Sequence, residues 1–190
     1  MEPVSSQLAP LTVLAGPTAV GKGTLVRRLR ELYPDLPVSV SVTTRAPRPG
    51  EVHGEDYFFV SEEEFDRMVE EDALLEWAVV HGKHRYGTPA QWVEEQRKIG
   101  RPVLLEVDLE GARQVRRRRP DCQTVFVVPP SWEELERRLL GRGTEGPEER
   151  ARRLATARGE LAAADEFDVT IINDDVNRTA EELARLLELN

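Results

Sequence analysis

Two glycines five residues apart, Gly16 and Gly21, are followed at once by Lys22, and this cluster joins two segments of opposite pattern. Before it, Leu11-Thr12-Val13-Leu14-Ala15 is a short apolar run that stops at Gly16-Pro17, the punctuation of a strand entering a turn. After it, Leu25, Val26, Leu29, Leu32 and Tyr33 recur at helical spacing until Pro34 stops them. Strand, glycine-bearing loop and helix open a βαβ unit. Further buried-type strands are expected at 102–107, 124–128 and 169–172, each followed by a helical pattern. Such alternation implies a parallel sheet with helices on both faces, here of five strands.

Two helix starts are marked by Ser-x-x-Glu: Ser61 to Glu64 before Phe65 and Met68, and Ser131 to Glu134 before Leu135 and Leu139. Ala180, Leu183, Ala184 and Leu187 predict an amphipathic C-terminal helix. Between 40 and 88 the pattern changes to short strands (38–42, 57–60, 74–80 and 85–86) around one helix, which reads as an inserted lobe. Residues 141–150 are polar and glycine-rich between two helices, as a mobile lid would be.

Composition removes several classes. With 190 residues, 39% apolar and 32% charged, the chain is neither disordered nor collagen-like. Its apolar runs are far shorter than the ~20 residues that span a bilayer. Residues 1–6 show no signal-peptide pattern, so a cytoplasmic setting is expected, with no membrane partner. A net charge of −9 argues against bulk nucleic-acid binding. Arg116 to Arg119 fit a helix C-terminus, where the dipole favours cations. Of 26 basic side chains only Lys22, Lys83 and Lys98 are lysines, so an arginine matters only where its place is special. Cys122, alone and without cationic sequence neighbours, reads as a packed residue. His53, His81 and His84 lack partners at metal spacing and read as structural.

The loop Gly16-Pro17-Thr18-Ala19-Val20-Gly21-Lys22-Gly23-Thr24 has the spacing and context of a phosphate cradle. Successive N–H groups turn inward around an anion, and the helix N-terminus adds partial positive charge. Lys22 would neutralise the β and γ phosphates of a nucleotide, and Thr24 would donate its hydroxyl. The usual Ser or Thr directly after the lysine, a magnesium ligand, is replaced by Gly23. A Gly-Lys-Gly-Thr ending is familiar among nucleoside monophosphate kinases, where magnesium keeps mostly water and phosphate ligands, as its reluctance to dehydrate allows. Ala19 is expected to be tolerated provided its φ is negative.

The segment Ser41-Val42-Thr43-Thr44-Arg45-Ala46-Pro47-Arg48-Pro49-Gly50-Glu51 continues to Tyr57, and with it the chain resembles the guanylate kinases. The similarity extends through Leu75-Glu76-Trp77-Ala78, Tyr86-Gly87-Thr88, Leu105 to Gly111, Pro129-Pro130-Ser131, Arg138 to Thr144 and Asn173-Asp174-Asp175, covering about 11 to 188. The resemblance implies a P-loop NTPase-type three-layer α/β sandwich with a parallel-sheet core (11–39, 89–137 and 156–190). It adds a mixed α/β GMP-binding lobe (40–88) and a helical lid (138–155). It implies ATP on Gly16 to Thr24 and Asn173. The GMP phosphate would lie on Arg45, Arg48, Tyr57 and Tyr86, and guanine on Ser41, Glu76 and Thr88, with Asp108 reaching toward the nucleotide. Guanidinium forks and phenols suit a phosphate dianion, and a carboxylate that accepts from guanine N1 and N2 rejects adenine, which lacks that donor pair. Glu106 and Asp108, alternating on one strand, would face one way and hold Mg2+ through water. Lys22 and the lid arginines Arg138, Arg142 and Arg153 would be catalytic. The expected reaction is magnesium-dependent transfer from ATP to GMP, with ATP and GMP as the partners and no obligatory protein partner. Alternatives are a kinase of another monophosphate on the same fold and a non-catalytic phosphopeptide-binding module.

Overall fold

A computed structural model describes residues 8–80, 82–141 and 146–189. In chain order the elements are β1 (Leu11–Ala15), α1 (Lys22–Leu32), β2 (Val42–Thr43), β3 (Phe58–Phe59), α2 (Glu62–Glu70), β4 (Leu74–Val80), β5 (His84–Pro89) and α3 (Ala90–Lys98). They continue with β6 (Val103–Glu106), α4 (Leu109–Arg118), β7 (Gln123–Val128), α5 (Trp132–Leu140), α6 (Pro147–Ala162), β8 (Val169–Ile172) and α7 (Val176–Leu186).

The core sheet runs β6-β1-β7-β8, all parallel. Strand alternation sorts its side chains into two apolar layers. Leu11, Val13, Val103, Leu105 and Phe126 pack with Val93 and Val115 of α3 and α4. Leu14, Leu104, Val125 and Val127 pack with Leu25, Leu135 and Leu183 of α1, α5 and α7. The three-layer α/β expectation holds, but the fifth strand shrinks to a single bridge, Val38 to Leu104.

A second sheet, β3-β2-β5-β4, is mixed, with β2 parallel to β3 and antiparallel to β5. Its own core is small: Val42, Phe65 and Leu74, with Phe58, Met68 and Trp77 against them. The stretch expected as one strand at 38–42 divides between the two sheets. Val38 pairs with Leu104 of the core through the Ser39 N–H and the Pro37 carbonyl, whereas Val42 pairs with Gly87 of the lobe. Arg85 ties β5 to α2, donating to Glu62 and Asp66 with its guanidinium over the Phe65 ring. Gln114 of α4 clamps β4 by accepting from the Trp77 N–H (3.1 Å) and donating to its carbonyl (3.0 Å).

Ser61 and Glu64 form the full reciprocal cap of α2. At α5 only half of that device is present. Ser131 accepts from the Glu134 N–H, while the Glu134 carboxylate is taken by Arg137 and Arg138 and held at about 2. The glycine-rich stretch between α5 and α6 is shorter than the expected 141–150, because 147–150 already belong to α6, and 142–145 lie outside the described residues. Arg116 to Arg119 close α4 and meet Asp168, Glu110, Asp72 and Glu94 in turn. Cys122 is buried and its thiol is pushed up to about 11, so it is an inert packing group. His53 accepts from the Phe59 N–H at Nδ1 (3.1 Å), a structural bond, and His81 lies outside the described residues. Among the described residues no helix is long and apolar enough to cross a membrane.

Candidate active site

Residues 16–24 leave the end of β1 and enter α1. Gly16 has φ +154, and a Cβ there would meet the Val127 carbonyl oxygen of β7 at 2.5 Å, so the loop lies against the neighbouring strand too closely for a side chain. Gly21 caps α1 at φ +98, where a Cβ would strike Asn173 Nδ2 at 2.7 Å. Ala19 sits at φ +67, so the condition set for its easy tolerance, a negative φ, is not met. An L-residue in that left-handed region costs roughly 1–2 kcal/mol, and the fold holds it there.

Lys22 Nζ lies across the loop, donating to the Gly16 (2.6 Å) and Pro17 (3.3 Å) carbonyls. Burial lowers its pKa, and the carboxylates of Glu106, Glu160 and Asp108 partly offset the fall. Glu160 of α6 also accepts from the Thr18 N–H (3.2 Å). Beside the loop a cavity of about 450 Å³ is lined by Ala19, Gly21, Thr24, Arg138 and Asn173. Asn173, just past β8, is buried and donates to the Val20 carbonyl (2.9 Å); Arg138 of α5 donates to the same oxygen (3.2 Å). Arg153 is half-buried on α6, and Arg142 lies outside the described residues.

Glu106 ends β6. Asp108 does not share its strand, as expected from the alternation, but caps α4 by accepting from the Gly111 N–H (2.7 Å). Desolvation in the cleft raises Glu106, with Lys22 acting against it. Asp108 is the link between the two halves of the site, since its charge is felt both by Lys22 and by Glu76.

Glu76 on β4 pairs with Thr88 on β5, whose hydroxyl donates to Oε1 at 2.6 Å. The residue is only 8% exposed, and burial pushes its carboxyl up to about 7 against the Thr88 bond, with Asp108 adding to the rise. Ser41 stands just before β2, where the antiparallel register with β5 carries the chain toward Thr88. Farther along the lobe, Arg45 Nε donates to Tyr86 Oη (3.1 Å), and its guanidinium lies 5.3 Å from the centre of the Tyr57 ring. Tyr57 and Tyr86 meet edge to face at 5.8 Å. Arg48 is exposed on the same loop. An apolar cavity lined by Val42, Phe58, Met68 and Trp92 shares none of these polar groups.

Two carboxylates escaped the sequence reading. Glu160 carries no local signal, because its partner is 142 residues away. Glu51 lies inside the 41–57 segment, and its place directly after Gly50, six residues past Arg45, is the signal that could have found it.

Fold and site together define an α/β nucleotide kinase class, in which the glycine loop leaves an inner strand of the parallel sheet and a lobe is inserted between α1 and α3. The family model for guanylate kinase matches residues 9–190. A guanylate kinase of Nocardia farcinica is 60% identical over 177 residues, covering 93% of this chain and 92% of that protein. One from Mycobacterium sp. (strain MCS) is 58% identical over 178 residues, covering 93% and 90%. The crystal structure of guanylate kinase from Anaplasma phagocytophilum superposes with a TM-score of 0.73 at 33% identity, covering 96% of this chain and 86% of that one. The chain belongs to the guanylate kinase family.

Proposed function

We propose that the chain transfers the terminal phosphoryl group of ATP to GMP, with ATP in the 16–24 cradle and GMP on the lobe. The observation that carries the acceptor assignment is Glu76. A buried carboxylate whose partner among the described residues is one hydroxyl needs further donors, and guanine supplies two adjacent N–H groups at N1 and N2. Adenine would leave the carboxylate unpaired, and sites built this way discriminate by ~10⁴–10⁵. Ser41 suits the O6 side, Thr88 can join it once guanine's N–H groups replace its hydroxyl hydrogen on Glu76, and Arg45, Arg48, Tyr57 and Tyr86 suit the phosphate.

In the transfer, a GMP phosphate oxygen bonds to the γ-phosphorus as the bond to the β–γ bridging oxygen breaks. Because the acceptor is already anionic, no general base is required. Catalysis is therefore positioning and charge stabilisation. Lys22 and the cradle N–H groups hold the β and γ phosphates, while Arg138 and Arg153, with Arg142 beside them in sequence, supply further charge. Asn173 fixes the cradle from just past β8.

The residues fit magnesium bound through water rather than in a protein cage. The Glu106 carboxylate lies 3.9 Å from where a Gly23 Cβ would stand, and no metal-holding group of three or more His, Cys, Asp or Glu occurs among the described residues. Glu106 and Asp108 would hold such a hydrated ion, and when bound it supplies positive charge to the phosphates.

The test is ADP formation from ATP and magnesium with GMP, AMP, UMP, CMP or dTMP as acceptor, and Lys22→Ala as control. Activity with GMP that the substitution abolishes is the expected result. Preference for another acceptor would discard the guanine pocket, and none with any acceptor would discard the kinase reading.

A further inference from the structure

The Glu51 carboxylate makes three directed contacts within the 45–57 loop, and no step of the reaction uses it. Its carboxylate accepts from Arg45 Nη1 (3.0 Å) and Nη2 (2.8 Å) and from the Arg48 N–H (2.7 Å). Its own N–H donates to the Arg48 carbonyl (3.0 Å), closing a turn in which Gly50 takes φ +88. One residue therefore holds the fork of the first arginine and both backbone groups of the second.

Arg45 carries five N–H donors. Nε serves Tyr86, Nη1 serves Ala46 and Glu51, and one Nη2 hydrogen serves Glu51, which leaves a single donor for a ligand. The Tyr86 oxygen, by accepting from Nε, keeps its own hydrogen to donate elsewhere. The side chains of Arg45 and Glu51 are only 11% and 20% exposed, so this arrangement is sheltered. Glu51 also offsets the charge of Arg45, whereas the Arg48 side chain, whose charge helps lower the Glu51 carboxyl from a distance, has no ion-pair partner among the described residues.

We propose that Glu51 is a positioning residue for the acceptor phosphate, presenting one Arg45 N–H and the Tyr86 hydroxyl and leaving Arg48 as the recruiting charge. The inference rests on the reading of Arg45, Arg48 and Tyr86 as the acceptor-phosphate site. In a rival arrangement Glu51 would be a plug occupying the place of the phosphate. The two differ in sign. Glu51→Gln turns an amide N–H toward the guanidinium and frees the fork. A positioning residue then loses phosphate binding, while removal of a plug improves it.

The experiment measures KM for GMP and ATP, kcat, and inhibition by guanosine, which lacks the phosphate, for Glu51→Gln, Glu51→Asp and Arg48→Ala. For Glu51→Gln the expected result is a GMP KM raised about tenfold or more, with the ATP KM and guanosine inhibition constant within about twofold. Glu51→Asp, which keeps the charge on a shorter arm, falls between, and it carries the test alone if the glutamine variant does not fold. A general structural defect would instead move guanosine and ATP together with GMP, and that result overturns the proposal. An unchanged or lowered GMP KM overturns it too. If Arg48→Ala also leaves the GMP KM unchanged, the acceptor-phosphate reading itself has failed; an effect at Arg48 with none at Glu51 refutes only the role of Glu51.

Discussion

In the proposed reading a phosphate would meet main chain in the cradle and side chains in the lobe. Behind the cradle stands β1, with Leu11, Val13, Leu14 and Ala15 at most 1% exposed between two helix layers. Behind the lobe stand three buried residues, Val42, Phe65 and Leu74, and a set of polar pairs: Glu76 with Thr88, Arg45 with Glu51 and Tyr86, Arg85 with Glu62 and Asp66. A main-chain site is set by the fold and survives exchange of individual side chains, whereas a site made of pairs depends on each member. Substitution should accordingly cost chemistry in the cradle and selectivity in the lobe.

The largest effect expected is at Lys22. Its partners are carbonyls of its own loop, so Lys22→Ala should lower kcat by about 10³ while thermal unfolding stays near wild type. A collapse of the melting temperature would show that the cradle is not self-supporting, and the contrast would fail. Next comes Glu76→Gln, for which kcat/KM with GMP should fall about 10²-fold and the ATP KM should hold. Equal losses for both substrates would place Glu76 outside the acceptor pocket.

Protonation sharpens the same contrast. Glu76 sits near 7 in the free protein, and guanine's donors require the ionised form. Guanosine binding should therefore weaken about fivefold between pH 7 and pH 6, a dependence that Glu76→Gln removes. A flat profile in the parent protein would contradict the assignment. The folded-state value lies above the ordinary carboxylate value of 4.5, so in the absence of ligand this group costs stability as pH rises from 4.5 toward 7. Melting curves across that window, compared with those of the glutamine variant, measure the slope. Smallest is Ala19→Gly, which relieves a left-handed alanine and should gain up to about 1 kcal/mol, or about 3 °C. A loss would mean that stiffness in the loop outweighs its strain.

The cradle was legible in the sequence because strand, loop and helix are contiguous there: β1 and α1 fall within a few residues of the expected bounds. The lobe strands were legible in place but not in pairing. Nothing local distinguishes a segment that stays in one sheet from one that changes sheets at 39–41. Asp108 was expected on a strand because alternation looks the same up to the residue where a helix begins, and its capping bond to Gly111 is visible only in three dimensions. The φ of Ala19 was illegible for another reason. Alanine gives no sign of a positive angle, since tertiary packing imposes it. Arg45 was read as a phosphate ligand from its family motif, but its commitment to Glu51 depends on a turn whose closure no spacing rule prescribes.

The Val20 carbonyl, which takes hydrogen bonds from both Asn173 and Arg138, is a redundant acceptor. Its oxygen has two lone pairs, one answered from the sheet and one from α5. If Arg138 swings away to meet a phosphate, the oxygen retains Asn173 and is never stranded without a partner. The arginine can then leave for the cost of that bond and of its partly exposed ion pair with Glu134, without creating a buried orphan. Such an attachment works like a detent: firm enough to park the arginine between turnovers, and weak enough that a nucleotide's negative charge can draw it off.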